Sequence, residues 1–448
     1  MLMSGLLRKY KDNYVSIIRL GLPILIGQLG MIIVGFADNI MVGQYSTEAL
    51  ASASFVNNIF NVAILACIGF TYGLTPLVGA LFSQKRYDTI GAILRNGLFL
   101  NTAFSLIILG IMTILYFNVD RMGQPEELLP LIRPYYLLYL AGLIPISVFN
   151  VFAQWAYAIN RTKMPMWIIL IANIANVIGN YMLIYGVWGC PELGLTGAGI
   201  STLFSRVLSM VCILAVFFGF KEYRKYREGF TQNHISKLHL AQINRTSWPV
   251  ALQMAFETGA FSLSAIMAGW LGKIPLASFQ VMLIVGTLGF CIYYSFAASV
   301  SVLVSNAAGL NDNAKIRRIS FAGFHILIAI ATISSLVFII FGETLIRAFT
   351  DDTAVIITSL SLIFPLVLYQ YGDATQINFA NALRGTSNVM PMLWIAFVSY
   401  IIVGLPSTYL LAFTFGLGLY GIFLSFSVSL FLAATLFIHF FMRTTRQK

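Results

Sequence analysis

Twelve long apolar stretches place the strongest constraint on how this chain of 448 residues can fold. Each stretch is long enough to cross the hydrocarbon core of a bilayer, which takes about 20 residues in a helix. Helices are expected because a spanning segment must satisfy its own backbone hydrogen bonds. With 59% hydrophobic and only 10% charged residues, the sequence predicts an all-α membrane protein with twelve transmembrane helices. The predicted spans lie near 15–41, 52–80, 91–117, 131–158, 165–187, 194–219, 245–270, 277–306, 319–341, 355–382, 391–414 and 419–441.

The basic residues are concentrated at one set of span ends. The opposite ends hold only four, which are Arg121, Arg133, Lys273 and Arg347. Arg206 lies inside the sixth span, so the other 22 of the 27 Lys and Arg residues share one side. The positive-inside rule therefore predicts that both termini are cytoplasmic, in a multi-pass protein of the bacterial inner (cytoplasmic) membrane.

The net charge of +11 has the same explanation. It follows from the positive-inside pattern and from attraction to anionic lipid, so it does not indicate a nucleic-acid partner. The basic N-terminus runs into the first stretch without a small-residue cleavage site. We therefore interpret this stretch as a retained span and not as a signal peptide.

The longest loop on the basic side divides the chain into two six-span halves. It covers 221–245 and begins with KEYRKYREG, a charge pattern typical of a solvated cytoplasmic linker. The predicted domains are thus an N-terminal lobe at 1–220, the linker at 221–245 and a C-terminal lobe at 246–448.

The two halves are repeats of one another. A shift of 226 residues brings Pro23 onto Pro249, and it brings MPM at 164–166 onto MPM at 390–392. Because six is an even number of spans, both halves enter the membrane from the same side and form a parallel repeat of two six-helix bundles. Such bundles leave a cleft whose rocking gives alternating access, which favours a transporter over a channel or a membrane enzyme.

Only three of the sixteen acidic residues lie within predicted spans, and two of them share one depth. Glu257 follows Thr246, at the inner end of span seven, by eleven residues, and Asp373 precedes Arg384 by eleven. At about 1.5 Å per residue, both acids lie roughly 16 Å above the inner surface. Two acids at one depth can share a cation or a proton, and the alternative is a pair of unrelated packed acids.

Span ten carries further polar features around its acid. Tyr369 lies four residues before Asp373 and therefore on nearly the same helix face. Pro365 lies eight residues before Asp373 and should bend the helix and free a backbone carbonyl. A carboxylate, a phenol and a loosened backbone suit a small cation or a proton relay. The alternative is a hydrogen-bonded packing site.

The third acid predicts a separate site in the N-terminal half. Counted from the inner ends of their spans, Asp38, Asn176, Asn180 and Thr202 fall at similar heights, roughly 20 to 28 Å up. Carboxylate, amide and hydroxyl oxygens suit Na⁺ or a proton network and not a soft metal. For the asparagines the alternative is interhelical hydrogen bonding.

Other residues give weaker signals. Arg206 lies one turn from Thr202 and is expected to neutralise an acid or a lipid headgroup, with a structural ion pair as the alternative. Most of the 36 Phe, 21 Tyr and 16 Met residues should face lipid or other helices. A minority is expected to line a cleft for flat, amphipathic cations, because aromatic faces attract cations and Met repacks easily.

The sequence gives no sign of an enzyme. Its four cysteines and four histidines are scattered, so they indicate neither a disulfide framework nor a metal cluster. It contains no phosphate-binding glycine motif after a strand and no nucleophile elbow. We therefore expect no cofactor other than a coupling ion.

Four segments resemble the multidrug and toxic compound extrusion (MATE) transporters, in their NorM-like branch. They are LPILIGQLGMIIVGFADNIMVG at 22–43, GLTPLVGALFSQKRYD at 73–88, PVALQMAFET at 249–258 and LYQYGDATQINFANALRG at 368–385. The resemblance covers nearly the whole chain. It implies twelve helices in two lobes and export of cationic, amphipathic compounds driven by Na⁺ or H⁺.

The resemblance also implies which residues form the cation sites. The C-lobe site of the family resembles Glu257, Tyr369 and Asp373, and its N-lobe site resembles Asp38 with three further residues. Those three are Asn176, Asn180 and Thr202. In some relatives an acid stands in the place of Asn180, so Na⁺ and H⁺ both stay open as the coupling ion.

These observations predict a cation-coupled multidrug exporter that acts as a monomer on small cationic amphipathic molecules. One alternative within transport is a lipid-linked oligosaccharide flippase of related fold. Such a protein would favour a cleft rich in Arg and Lys for a pyrophosphate, whereas the candidate sites here are acidic. A membrane-embedded enzyme, the alternative from another class, would need a metal cluster or a nucleophile and base near the interface.

Overall fold

A computed structural model describes residues 2–123 and 125–446, and these residues form a succession of helices. The outermost residues of both termini, for which a cytoplasmic location is predicted, lie outside the described residues. The α-helices are α1 Leu2–Tyr45, α2 Thr47–Thr71, α3 Leu74–Ser83, α4 Tyr87–Phe117, α5 Leu129–Ala141, α6 Leu143–Ala158, α7 Lys163–Tyr185, α8 Gly194–Gly219, α9 Arg224–Gln232, α10 Lys237–Trp270, α11 Lys273–Gly309, α12 Asn313–Arg347, α13 Thr353–Ser361, α14 Ile363–Gly385, α15 Met390–Ala396, α16 Leu405–Tyr409 and α17 Gly418–Thr444.

The helices confirm the predicted fold class. Within the described ranges, 11 helical segments are long and apolar enough to cross a membrane, and one bent pair brings the number to 12. Several spans combine two consecutive helices, such as α2 with α3 and α5 with α6. The protein is thus an all-α, multi-pass membrane protein.

Local signals in the sequence fix several helix ends. The Ser46 side chain accepts a hydrogen bond from the Ala49 amide at 3.1 Å and caps the start of α2. Asp352 caps α13 in the same way, accepting from the Ala354 amide at 2.8 Å. Helix α7 ends at Tyr185 and is capped by Gly186, whose φ of 65° favours glycine.

The tenth span is broken, as Pro365 predicts. Helices α13 and α14 meet at an angle of 50°, with the break at Leu362. A proline ring clashes with the carbonyl four residues earlier, which places the disruption at Ser361, directly before the break. The Pro365 carbonyl accepts a hydrogen bond from the Ser427 hydroxyl at 3.3 Å. This hydrogen bond joins α14 to α17 close to the bend.

The eleventh span contains two wide turns that the sequence did not predict. Phe397–Gly404 and Leu410–Thr414 form π-helix, on either side of α16. A π turn carries an additional residue, so it changes which side chains share a face, and such turns often occur at functional sites. The first of these turns carries Tyr400.

The chain contacts group the protein into two compact units. The N-terminal unit is Ile26–Ser247. The C-terminal unit runs from Trp248 onward and also contains the first part of α1, through Leu25. Each unit has its own buried apolar clusters, around Trp155 and Tyr136 in the first and around Phe423 in the second.

The segment at 221–236 is only partly solvated, which differs from the linker that its charge pattern predicts. It forms a short 3₁₀ turn and then α9, and Tyr223 and Tyr226 are buried. Both rings lie against the fully buried Trp155, at centroid distances of 5.1 and 5.5 Å. The tyrosines between the charges therefore hold this segment against the N-terminal unit.

Two glycines and an arginine complete this contact. A Cβ on Gly91 would lie 2.2 Å from the Tyr226 carbonyl oxygen, and one on Gly229 would lie 2.1 Å from the Asp88 carbonyl oxygen. Helices α4 and α9 therefore approach closely only because both positions lack a side chain. Arg95 Nη1 donates to the carbonyl oxygens of Phe230, Thr231 and Asn233 at 3.3, 3.1 and 2.5 Å.

Candidate cation sites

The N-terminal unit brings the predicted amides onto Asp38. Asn180 Nδ2 donates to Asp38 Oδ1 across 2.5 Å. The neighbouring Asn176 amide fits its surroundings when its nitrogen also faces Asp38 Oδ1, at 2.8 Å. Both asparagines are buried on α7, one turn apart, and Asp38 lies on α1. The carboxylate of Asp38 therefore accepts from two amides on one helix.

Helix α8 completes this group. In that orientation the Asn176 side-chain oxygen accepts from the Thr202 backbone amide at 3.3 Å. The Ser201 hydroxyl donates to the Asn176 backbone carbonyl at 2.7 Å. Close approach of the helices depends on Gly179, where a Cβ would lie 2.5 Å from Ser201 Oγ. The structure thus brings Asp38 and the three residues predicted to lie near it to one place on α1, α7 and α8.

Arg206 lies over an aromatic ring and does not form the structural ion pair that was the alternative for it. Its guanidinium carbon lies 4.6 Å from the centre of the Tyr139 ring, in cation–π geometry. The four ion pairs found among the described residues do not include it. Its charge nevertheless acts on Asp38, so Arg206 is a nearby positive charge without being an ion-pair partner.

Two tyrosines near Asp38 were not predicted from the sequence. Tyr135 and Tyr139 are buried on α5, with 3.2 Å between their hydroxyl oxygens, and both interact electrostatically with Asp38. Their spacing of four residues, which puts them on one helix face, is the signal that could have identified them. They add hydroxyl groups to an otherwise amide-lined acid site.

The C-terminal unit brings Glu257 and Asp373 together. Asp373 on α14 is 1% exposed, Glu257 on α10 is half-buried, and their charges act on each other. Gln253 Nε2 donates to Glu257 Oε2 at 3.0 Å. Asp373 Oδ2 is buried and has no hydrogen-bond partner in the described part of the chain. Two carboxylates whose charges act on each other favour a bound cation or a shared proton.

Tyr369 lies beside this acid pair, as predicted, and interacts electrostatically with both acids. Its ring contacts Phe261 and Phe426, with centroid distances of 6.2 and 6.4 Å. The predicted C-terminal group of Glu257, Tyr369 and Asp373 is therefore assembled in the structure.

Tyr400 is a neighbour of Glu257 that the sequence did not reveal. It lies in the first π turn of the eleventh span and its side chain faces Glu257 without a well-aligned hydrogen bond. It also borders a narrow cavity, which is lined by Ser429 and Thr408 and has room for about one water. A π turn shifts the helix face, so counting residues at a regular helical spacing could not have placed this side chain.

Both groups offer oxygen atoms with a net negative charge. Carboxylate, amide, hydroxyl and phenol oxygens suit hard cations such as Na⁺, and the acids can also carry a proton. Among the described residues, no three His, Cys, Asp or Glu side chains are grouped as a multivalent metal would require. The donor sets therefore fit a monovalent cation or a proton.

A larger pocket lies elsewhere in the N-terminal unit. It is an open hollow of about 800 Å³, lined by Met41, Gln44, Val177, Ile178, Tyr181, Tyr185 and Trp188. The Tyr181 ring lies 5.9 Å from that of Trp188 and 5.8 Å from that of Tyr185. Aromatic faces and a methionine, without a Lys or Arg in the lining, suit a flat organic cation. The volume is that of a pocket for a drug-sized molecule.

Similar proteins are known from bacteria. The chain is 29% identical over 443 residues to a probable multidrug resistance protein NorM from Mannheimia succiniciproducens, covering 96% of this chain and 94% of the relative. A protein of the same description from Photorhabdus laumondii is 28% identical over 392 residues, covering 88% and 86%. These matches extend over nearly all of both chains.

A solved structure has the same fold. It is a transporter of the MOP superfamily from Pyrococcus furiosus, with a TM-score of 0.87 and 18% identity, and the match covers 98% of each chain. At this identity the likeness concerns the arrangement of helices.

The sequence profile of the family named MatE matches this chain twice, at residues 23–182 and 249–410. The two matches begin 226 residues apart, which is the shift found between the two halves of the sequence. Each match covers most of one six-span half, and together they include more than half of the chain. This protein belongs to the MatE family.

Proposed function

We propose that this protein is a secondary active exporter, which exchanges Na⁺ or H⁺ for small cationic amphipathic compounds by alternating access. It is a multi-pass membrane protein of a multidrug transporter family whose members are not enzymes. The observation that carries the proposal is the carboxylate of Asp373. It is buried in a membrane-spanning helix, its Oδ2 has no hydrogen-bond partner among the described residues, and the charge of Glu257 acts on it.

The acid pair supports coupling to a cation because an intramembrane carboxylate is costly without a partner. The cost falls when a cation or a proton is bound and returns when it leaves. That difference in free energy can shift a conformational equilibrium, provided that the two conformations bind the cation unequally. Asp38 and its amides form a second such group in the other unit. We propose that both groups take part in coupling, with no cofactor besides the ion.

The substrate class rests on the large pocket of the N-terminal unit. Its lining offers the faces of Tyr181 and Trp188 together with Met41 and the polar Gln44. Such a surface attracts a delocalised positive charge and adapts to different shapes. The relatives described as multidrug resistance proteins support the same class of substrate. We propose that one copy of the chain is sufficient for transport.

We also propose that the protein lies in the bacterial inner membrane with both termini in the cytoplasm. The asymmetry of Lys and Arg supports this orientation. A cysteine introduced at the exposed His234 should be labelled by an impermeant maleimide only from the cytoplasmic side, and one at the exposed Lys273 only from outside. Labelling at position 234 from outside would overturn the orientation.

Transport in everted membrane vesicles tests the proposal as a whole. A fluorescent organic cation such as ethidium is added, and a Na⁺ gradient and a pH gradient are imposed separately. We expect one of the two gradients to drive uptake into the vesicles and its collapse to stop uptake. A rate that neither gradient changes would contradict cation coupling, and ATP-dependent uptake in the absence of both gradients would indicate a primary pump.

A further inference from the structure

One basic residue lies deep within a membrane-spanning helix of the N-terminal unit. Arg206 is twelve residues from the start of α8 and thirteen from its end. At about 1.5 Å per residue, either end of the helix is roughly 18 Å away or more. The guanidinium therefore cannot reach a lipid headgroup, and its charge has to be balanced within the protein.

The immediate surroundings of this guanidinium are an aromatic ring and a glycine. Its carbon lies 4.6 Å from the centre of the Tyr139 ring, and no carboxylate lies within ion-pair distance in the described part of the chain. A Cβ on Gly142 would lie 2.6 Å from Nη1 and 2.9 Å from Cδ, so the side chain fills the space which that glycine leaves open. The structure therefore holds a positive charge in the membrane without placing an acid directly against it.

One donor of this guanidinium is unused. The Nη1 atom of Arg206 is enclosed and has no hydrogen-bond partner among the residues that the structure describes. A buried donor without an acceptor is costly, and a buried charge is costly unless a counter-charge stabilises it. Arg206 therefore depends on a negative charge nearby.

That negative charge belongs to Asp38. Thr202 lies one turn from Arg206 on α8, and its backbone amide donates to the Asn176 side chain, whose own nitrogen faces Asp38 at 2.8 Å. The charges of Arg206 and Asp38 act on each other. The guanidinium is thus an outer member of the same group of residues that surrounds the acid.

The other titratable groups around Asp38 are the phenols of Tyr135 and Tyr139, on α5. Both act electrostatically on Asp38 and on Arg206, whereas α7 contributes the amides of Asn176 and Asn180. Phenols are ordinarily neutral below pH 9 or so. The charge balance of this group is therefore set by one carboxylate and one guanidinium.

A coupling ion that binds at Asp38 meets a positive charge that is already in place. While the carboxylate is empty, Arg206 stabilises its charge. Once Na⁺ or a proton binds, the guanidinium loses its counter-charge and opposes the bound ion. The C-terminal group differs, because its two acids act on each other and an added cation relieves their repulsion.

We propose that Arg206 is a built-in competitor of the coupling ion at Asp38. Its charge weakens ion binding there and thereby sets how readily the ion leaves the N-terminal group. This inference rests on the proposed function, because it takes Asp38 as an acid that binds the ion. Arg206 acts through Asp38 and does not contact the ion itself, so it is a positioning residue.

Equilibrium binding tests the competition without requiring transport. In purified protein carrying Glu257→Gln and Asp373→Asn, Asp38 is the remaining acid within the predicted spans. Binding of radioactive Na⁺ is titrated directly, and protonation of the carboxyl is followed by infrared difference spectroscopy. The same protein with Asp38→Asn supplies the blank. We expect Arg206→Gln to lower the dissociation constant of the ion by about fivefold or more, since coupling between sites usually has at least this size.

Two variants separate the charge of Arg206 from a merely structural role. Arg206→Lys keeps the charge, so it should keep the dissociation constant of the unaltered residue. Arg133→Gln makes the same change at an exposed arginine of this unit, which pairs with Asp120 at 2.8 Å, and it should change nothing. An unchanged dissociation constant in Arg206→Gln, or an equal change in Arg206→Lys, would overturn the competition.

Gradient-driven uptake of ethidium gives the functional readout. If ion release becomes harder, Arg206→Gln should lower the maximal rate and also lower the ion concentration for half-maximal rate, by the factor found in the binding titration. A structural defect would lower the maximal rate alone, and that result would contradict the competition.

Failure of the inference and failure of the proposed function can be distinguished. A tighter ion in Arg206→Gln, in a protein that no cation gradient drives, would support the competition and contradict the proposed function. Coupled uptake with an unchanged dissociation constant would contradict the competition alone. An Asp38 that binds neither Na⁺ nor a proton would overturn the competition together with the proposed role of the N-terminal group.

Discussion

Asn180 on α7 donates a hydrogen bond to Asp38 on α1, with 2.5 Å between Nδ2 and Oδ1. The two residues are 142 positions apart in the sequence, and the contact joins two membrane-spanning helices at one depth. A carboxylate that accepts from amides is less well solvated than in water, so it favours a bound cation or a proton. The state of this one acid can therefore alter how α1 packs against α7.

We expect Asp38→Asn to fold and bind substrate but to lose cation-driven export. The new side-chain oxygen can still accept from Asn180, so the free energy of unfolding should change by about 1 kcal/mol at most. Melting temperature in detergent and ethidium efflux from vesicles measure the two effects. Undiminished efflux would exclude a coupling role for Asp38.

Arg206→Ala is the control for this variant. If Asp38 mainly served as an ion-pair partner of Arg206, both substitutions would destabilise the protein equally. Because Arg206 instead lies over Tyr139, we expect the two variants to differ.

We expect Glu257→Gln and Asp373→Asn each to abolish coupled export while the protein stays folded in the membrane. Neutralising a buried acid removes a desolvation cost, so thermal stability should be kept or increased. Glu343→Gln is a matched control, since Glu343 is an exposed acid paired with Arg347 at 2.8 Å near the end of α12. A normal export rate in either C-terminal variant would remove that residue from the coupling site.

Much of both acid groups could be predicted by counting residues along regular helices. A rise of about 1.5 Å per residue put Asp38 with Asn180, and Glu257 with Asp373, at common depths. Tyr400 could not be found in this way, because it lies in a π turn whose position depends on packing between helices. Gln253 could have been predicted as a neighbour of Glu257, since it lies four residues away and on the same helix face. An uncharged amide within a span is a weaker signal of a site than an acid.

The packing of the segment at 221–236 could not be predicted from the sequence alone. Its charges indicate a solvated linker, yet the tyrosines among them pack against Trp155, and Gly91 meets α9. This contact joins positions that are far apart in the chain, so no local pattern in the sequence predicts it. The alternation of charged and aromatic residues in this segment was the one feature that could have indicated its packing.

Trp188→Ala should weaken binding of flat organic cations. Loss of one aromatic face in the large pocket should cost about 0.5 to 2 kcal/mol of binding free energy. Titration of the purified protein with ethidium, followed by fluorescence, measures the change. Trp167→Ala is the control, because Trp167 is 58% exposed at the opposite end of α7 and outside the pocket. Equal weakening by both variants would contradict a specific contact.

Gly91→Ala should destabilise the protein by about 1 to 3 kcal/mol, because the added methyl group would press α4 and α9 apart. Gly110 lies on the same helix and has open space around its Cα, so Gly110→Ala should be neutral or stabilising. Thermal melting of both variants gives the comparison. A harmless Gly91→Ala would show that α9 is not held closely against α4.

Cation movement driven by a substrate gradient, measured in proteoliposomes, tests cation coupling most directly. Purified protein is reconstituted, a gradient of ethidium is imposed without any ion gradient, and movement of Na⁺ or H⁺ is recorded. We expect the substrate gradient to drive one of these cations in the opposite direction, and Asp373→Asn to lose this movement. Substrate flux with no opposing cation flux in the unaltered protein would contradict the account.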